Sequence, residues 1–276
     1  MNHGMPRAAR AVCALPLAAL ALAVAAAVQA QDKSTAEGIA EYRKMLEDGN
    51  PADLFEAKGE ALWKTRRGPK NASLEACDLG KGPGVVKGAF VELPRWFADA
   101  AKVQDLESRL VWCMSTLQGF DAAEIARTPF GAGEMANVVA LATYVGNASR
   151  GMRFALPQSH PEERLMYELG KRAFFYRAGT HDFACATCHG VDGQRIRLQE
   201  LPNLTKNPGD GIGFAAWPAY RVSAGQMWSM QYRLNDCYRQ QRFPYPFFAS
   251  EPTIALGVYM GVNAKGAESI VPAIKR

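Results

Sequence analysis

Beyond its first thirty residues the chain lacks any apolar run long enough to cross a bilayer, which excludes a membrane-spanning helix there. It also lacks a strong charge of one sign. Lys and Arg total 32 and Asp and Glu 27, a formal charge of +5 over 276 residues. That excess is too small to suggest a nucleic-acid partner. No βαβ pattern surrounds any of the cysteines, which weighs against a thioredoxin-like dithiol. Cysteine itself is sparse, with six in the whole chain, so each one can be traced.

The one long apolar run lies at the start. Arg7 and Arg10 precede the Ala- and Leu-rich stretch from Ala11 to Val28, and Val28-Gln29-Ala30 offers small residues to a cleavage enzyme. Residues 1–30 read as a secretory signal peptide, cleaved near Ala30. Cys13 falls within it. As a lipoprotein cysteine it is poorly placed, because apolar sequence continues well past it. Without Arg7 and Arg10 the formal charge falls from +5 to +3. The remainder is long enough for two small domains with separate cores.

Cys185-Ala186-Thr187-Cys188-His189 is a C-x-x-C-H run, the attachment pattern of a c-type haem. The two thiols add across the haem vinyl groups, and the two-residue spacer matches the vinyl separation. His189 then supplies the proximal nitrogen to iron. A zinc site using Cys185, Cys188, His189 and a further cysteine is an alternative, as is an accidental match. Because c-type haem is attached outside the bacterial cytoplasm, the mature chain is expected to be soluble and periplasmic.

Landmarks recur in the same order in the two halves, which indicates a duplication. A helical segment from Phe55 to Trp63 leads to Cys77, and one from Tyr167 to Phe175 leads to Cys185. R-L-x-x-C occurs as Arg109 to Cys113 and as Arg233 to Cys237. A-L-x-x-Y-x-G occurs as Ala140 to Gly146 and as Ala255 to Gly261. In the first half the haem motif has decayed to Cys77-Asp78-Leu79-Gly80-Lys81. That half reads as a cytochrome domain that has lost its haem. Cys77 and Cys113 are its leftover attachment and distal cysteines. With no haem between them they either pair as a disulfide, closing a loop of roughly 35 residues worth about 3–4 kcal/mol, or remain two buried thiols.

The periodicity is helical almost throughout. Ser34-Thr35-Ala36-Glu37 is a capping box before a helix with Ile39, Tyr42 and Met45 on one face. Further helices are expected over about Ala52–Lys64, Glu92–Arg109 with interruptions, Ala122–Ile125, Gly133–Val145, Pro161 to about Arg177, and Glu251–Met260. Val85–Val91 is read as a short strand, and Gly190–Pro218 as loop around a haem edge. The expected architecture is mostly α: two tandem cytochrome-c-like domains, over 31–155 without haem and 156–276 with it. The boundary is placed near Gly151 to Ser159.

Spacing alone favours Met227 or Met230 as the sixth iron ligand. The repeat favours Cys237, because no methionine recurs with the R-L-x-x-C landmark. His160 and His181 are read as surface or structural. Arg233 lies four residues before Cys237, on the same face of a helix. Arg221, Arg239 and Arg242 add to a basic setting that would hold a small oxyanion and depress the thiol pKa. Partnership with haem propionates, on a solvated basic face, is the plainer explanation.

These residues resemble the SoxA family, whose members form the SoxAX cytochrome of bacterial sulfur oxidation. The likeness spans the mature chain. Its most specific parts are Cys113-Met114-Ser115-Thr116-Leu117-Gln118-Gly119-Phe120, the haem motif with Gly190, and Cys237-Tyr238-Arg239-Gln240-Gln241-Arg242-Phe243. Gly80 and Lys81 place the chain with single-haem members, so one covalent haem c is expected. The resemblance implies that Cys237 is the distal ligand and reactive sulfur, carried as a persulfide, and that Arg233 holds substrate. It implies an L-cysteine S-thiosulfotransferase that joins thiosulfate oxidatively to a cysteine of SoxY in the SoxYZ carrier. A small haem subunit, SoxX, would complete the heterodimer, and c-type cytochromes would accept the electrons. The competing function is a plain periplasmic electron-transfer cytochrome. A haem-based sensor ranks last, since nothing resembles an output domain.

Overall fold

The computed structural model describes residues 49–196, 199–206, 212–244 and 248–275, with Glu37, Gly38, Glu41 and Met45 at isolated positions. Those four are helical and belong to a separate N-terminal unit, Met1–Asp48. The signal peptide and most of the helix expected after Ser34 lie outside the described residues.

From residue 49 onward the fold is mostly helical. Its elements are α1 (Ala52–Lys64), β1 (Arg95–Phe97), β2 (Lys102–Gln104), α2 (Leu106–Cys113), α3 (Ala122–Arg127) and α4 (Gly133–Asn147) in the first half. The second half holds α5 (Pro161–Phe175), α6 (Cys185–His189), β3 (Arg195–Ile196), β4 (Gln199–Glu200), α7 (Ile212–Ala215), β5 (Ala219–Arg221), β6 (Gln226–Trp228), α8 (Met230–Gln241), α9 (Glu251–Asn263) and β7 (Ala273–Lys275).

Two expectations fail. Residues 93–105 form no helix. Pro94 cannot donate to a helical ladder, and Arg95-Trp96-Phe97 pairs antiparallel with Lys102-Val103-Gln104 instead. Helix begins only where Asp105 caps it, accepting from the Ser108 amide at 2.9 Å. Val85–Val91 is likewise not a strand. It runs through turns into a 3₁₀ turn at Phe90–Glu92, and Gly88 sits at φ 76° within it.

The duplication is visible in the packing. In the first half α1 crosses α4, and in the second α5 crosses α9. Each crossing turns on one glycine. A Cβ on Gly59 would lie 2.1 Å from the Ala140 carbonyl oxygen and 2.8 Å from Tyr144 Cβ. A Cβ on Gly170 would lie 1.9 Å from the Ala255 carbonyl oxygen and 2.9 Å from Tyr259 Cβ. Backbones this close leave room for glycine alone. The same tyrosines then meet an aromatic on the first helix, Trp63 with Tyr144 and Phe174 with Tyr259.

The halves share one hydrophobic core. Phe90, Phe154 and Phe214 meet edge to face across it, with centroids 5.3 and 5.4 Å apart. The connecting segment is tied to both sides. Ala155 N–H donates to Val91 O, and Phe154 N–H donates to Ala267 O, each at 2.9 Å.

Candidate haem and sulfur site

The haem motif occupies α6, a single short turn. Ala184 precedes it, and its N–H donates to Thr187 Oγ1 at 2.9 Å, which fixes the start of the turn. Cys185 and Cys188 are free thiols. His189 ends the turn with Nδ1 2.9 Å from the Pro202 carbonyl oxygen. A carbonyl only accepts, so the ring proton belongs on Nδ1 and the Nε2 lone pair is left for a ligand. Burial lowers the His189 pKa, with a smaller contribution from the Arg233 charge. Both keep the ring neutral, as coordination requires.

Cys237 lies on α8. Ser229 caps that helix by accepting from the Tyr232 amide at 3.2 Å. Arg242 ends it in a left-handed conformation, φ 57°, and Pro244 follows. Leu234 and Tyr238 anchor one face in the core. Arg233 and Cys237, one turn apart, share another face. Cys237 is a free thiol close enough to Cys185 and Cys188 to interact electrostatically with each. Burial, and then Cys237, push the Cys185 thiol up to about 12.

The expected depression of the Cys237 pKa is not found. Burial raises it first of all, and Asp236 adds to the rise. Arg233 and Arg221 oppose it with smaller effects. Burial is the main reason, and Asp236, which sequence reasoning passed over, is a further one. This buried carboxylate accepts from Arg233 Nη1 at 2.9 Å, Arg239 Nη2 at 2.7 Å and Gln240 Nε2 at 2.6 Å. Two of the four guanidinium charges are therefore already paired. Its spacing, three residues from each arginine on a helix, was the available signal. Arg233 also lies over the Trp217 ring, 5.9 Å from its centroid.

The other candidates fall elsewhere. Met227 is 2% exposed and packs against Ala52 and Val139. Met230 opens α8 and lines a small internal cavity with Trp217 and Gln231. His160 caps α5, accepting from the Glu162 amide at 3.2 Å and stacking on Trp96. His181 is exposed. Among the described residues no three His, Cys, Asp or Glu side chains gather as a metal site. Cys77 and Cys113 are joined as a disulfide across a separation of 36 residues.

A second set of residues was also unread in the sequence. Gln231, in the first turn of α8, is held by two buried acids of the first half. Its backbone N–H donates to Glu107 Oε1 at 3.0 Å, and its side-chain Nε2 donates to Asp105 Oδ2 at 2.6 Å. Its Oε1 accepts from Ala249 N–H at 2.8 Å. Burial raises both acids, and Asp105 adds to the rise in Glu107, which reaches about 7.

The chemistry of this donor set fits a c-type haem: two unpaired thiols with two residues between them, an imidazole with a free Nε2, and a further thiol near them. No described helix is long and apolar enough to cross a membrane.

The family described as SoxA/TsdA, cytochrome c domain, matches residues 58–154. The chain is 53% identical over 265 residues to the L-cysteine S-thiosulfotransferase subunit SoxA of Hydrogenophilus thermoluteolus, covering 96% of each. It is 34% identical over 251 residues to the subunit of the same name from Hydrogenobacter thermophilus, covering 90% of this chain and 92% of that one. Among solved structures, SoxXA from P. pantotrophus superposes with a TM-score of 0.70 at 23% identity, covering 86% of this chain and 84% of that one. At that identity the likeness supports the fold.

Proposed function

The chain belongs to the SoxA family, and on that premise we propose that it is the catalytic subunit of an L-cysteine S-thiosulfotransferase. The observation that carries the reading is the free Cys237 thiol beside Cys185 and Cys188, with Arg233 one helical turn away. Haem c is the family's cofactor. Cys185 and Cys188 would attach a single copy through thioether bonds, and His189 and Cys237 would hold its iron. When bound, the haem would supply a one-electron acceptor and would polarise the Cys237 sulfur.

The reaction joins a carrier thiol to thiosulfate. The S–H bond breaks and an S–S bond forms to the outer sulfur, releasing one proton and two electrons. The product is a protein-bound S-sulfosulfanyl group. Cys237 acts as the covalent relay: its S–H bond would break as an S–S bond forms to the outer sulfur of thiosulfate, with one proton and two electrons leaving, and the carrier thiol would then attack that outer sulfur and release the Cys237 thiol. Arg233 neutralises the incoming dianion, and Asp236 sets the direction in which the guanidinium points. The carrier is a SoxYZ-type complex, a SoxX-like haem subunit is the stable partner, and small c-type cytochromes take the electrons. The setting is periplasmic, after removal of the signal peptide near Ala30. The two halves are read as tandem domains, 31–155 without haem and 156–276 with it.

Cys237→Ala and Arg233→Ala test this. Each is expected to lower thiosulfate-dependent loading of the carrier by at least about a hundredfold while covalent haem is retained. Loading at the normal rate by Cys237→Ala would return the chain to a plain electron carrier.

A further inference from the structure

β5 and β6 form a hairpin in which Ala219 faces Trp228 and Arg221 faces Gln226. The alternation of a strand puts Arg221 and Trp228 on one face, with Tyr220 and Met227 on the other. The Arg221 guanidinium carbon lies 4.9 Å from the Trp228 ring centroid. Each of these two side chains carries a buried N–H with no acceptor: Nε of Arg221 and Nε1 of Trp228. Trp228 is 8% exposed. Buried donors are paired in nearly all folded proteins, and here two unpaired ones stand side by side.

The charges point the same way. Arg221 feels the charges of Arg233, Asp236 and Cys237. Among the described residues its side chain makes one hydrogen bond, a 3.5 Å contact from Nη2 to Ser223 Oγ. Asp236, the nearby carboxylate, is already taken by Arg233, Arg239 and Gln240. Arg221 thus lies within electrostatic reach of Cys237 and Arg233, and the Trp228 ring packs against its guanidinium.

We propose that Arg221 and Trp228 form an oxyanion subsite beside Cys237, with Arg221 Nε–H and Trp228 Nε1–H as its donors. The ligand is a small oxyanion, and that chemistry has two sources here. One is the sulfonate end of thiosulfate. The other is a propionate carboxylate of the haem that Cys185, Cys188 and His189 would hold. The proposal rests on the function given above and adds two residues to it.

The test uses the haem-loaded heterodimer as wild type, Trp228→Phe and Arg221→Gln. Trp228→Phe keeps an aromatic ring and removes only the N–H, so it carries the test if Arg221→Gln folds poorly. Thiosulfate is titrated calorimetrically, and the haem midpoint potential is measured across pH. A tenfold or greater loss of thiosulfate affinity in both variants, with the potential unmoved, assigns the subsite to substrate. Unchanged affinity with a shifted potential, and an altered pH dependence of it, assigns it to the propionate. Wild-type affinity and wild-type potential in Trp228→Phe would overturn the proposal, because the N–H then has no ligand. If the wild type neither binds thiosulfate nor loads the carrier, the proposed function fails on its own account, and the potential still decides the subsite.

Discussion

The two halves hold the same landmark in opposite states. In the first, Arg109 is 3% exposed and locked on every side. It donates to Asp78 O at 2.6 Å, Asp99 Oδ1 at 2.9 Å and Gln104 Oε1 at 3.3 Å, and it lies 3.9 Å over the Phe97 ring. Cys113, four residues on, is spent in a disulfide. In the second, Arg233 keeps a quarter of its side chain exposed and pairs with Asp236. Cys237, four residues on, is free. A repeated arginine and cysteine therefore form a structural clamp in the first half, and a half-buried guanidinium beside a free thiol in the second. The first half also supports the second. Through Asp105 and Glu107 it holds the first turn of the helix that carries Arg233 and Cys237.

Removing the disulfide should break this comparison most visibly. Replacing Cys77 and Cys113 by serine is expected to cost about 3 kcal/mol and lower Tm by roughly 10 °C, while the haem spectrum of the second half stays as it was. A spectrum that changed as well would mean the halves are coupled through that bond. The helix crossings come next. Gly59→Ala and Gly170→Ala should each cost about 1–3 kcal/mol by overpacking, and by similar amounts, because both Cβ atoms would strike a carbonyl oxygen. Denaturant unfolding of the pair measures this. A cost at one position only would deny that the crossings are equivalent.

The smallest effect concerns Glu107. Its folded pKa, about 7, lies above its ordinary value. The folded state therefore binds the extra proton between the two, and stability must fall as pH rises through that interval. Glu107→Gln keeps an acceptor for the Gln231 amide and removes the titration. It should flatten the pH dependence of Tm between about pH 5 and 8 and raise Tm by a few degrees at the upper end. A profile identical to wild type would show that Glu107 titrates normally.

Much of this was legible without coordinates. α1 begins and ends where the apolar pattern and Pro51 place it, and α5 starts at Pro161 as expected. The 93–105 segment was misread because its apolar spacing suits a helix while Pro94 and the pairing partner at 102–104 favour a hairpin. The partner is a non-local fact that local pattern cannot report. The Cys237 pKa was misread for a related reason. Positive charge could be counted along the chain, but Asp236 neutralises much of it, and burial outweighs the rest.

The sequence by itself determined the attachment motif Cys185–His189, the duplication, and the spare pair Cys77 and Cys113, because covalent chemistry depends on spacing a few residues wide. The tertiary structure alone decided which guanidiniums are paired, which donors are left without acceptors, and how Asp105 and Glu107 reach across to Gln231. Those outcomes depend on burial and on contacts more than a hundred residues apart, which exist only once the two halves have closed on a common core.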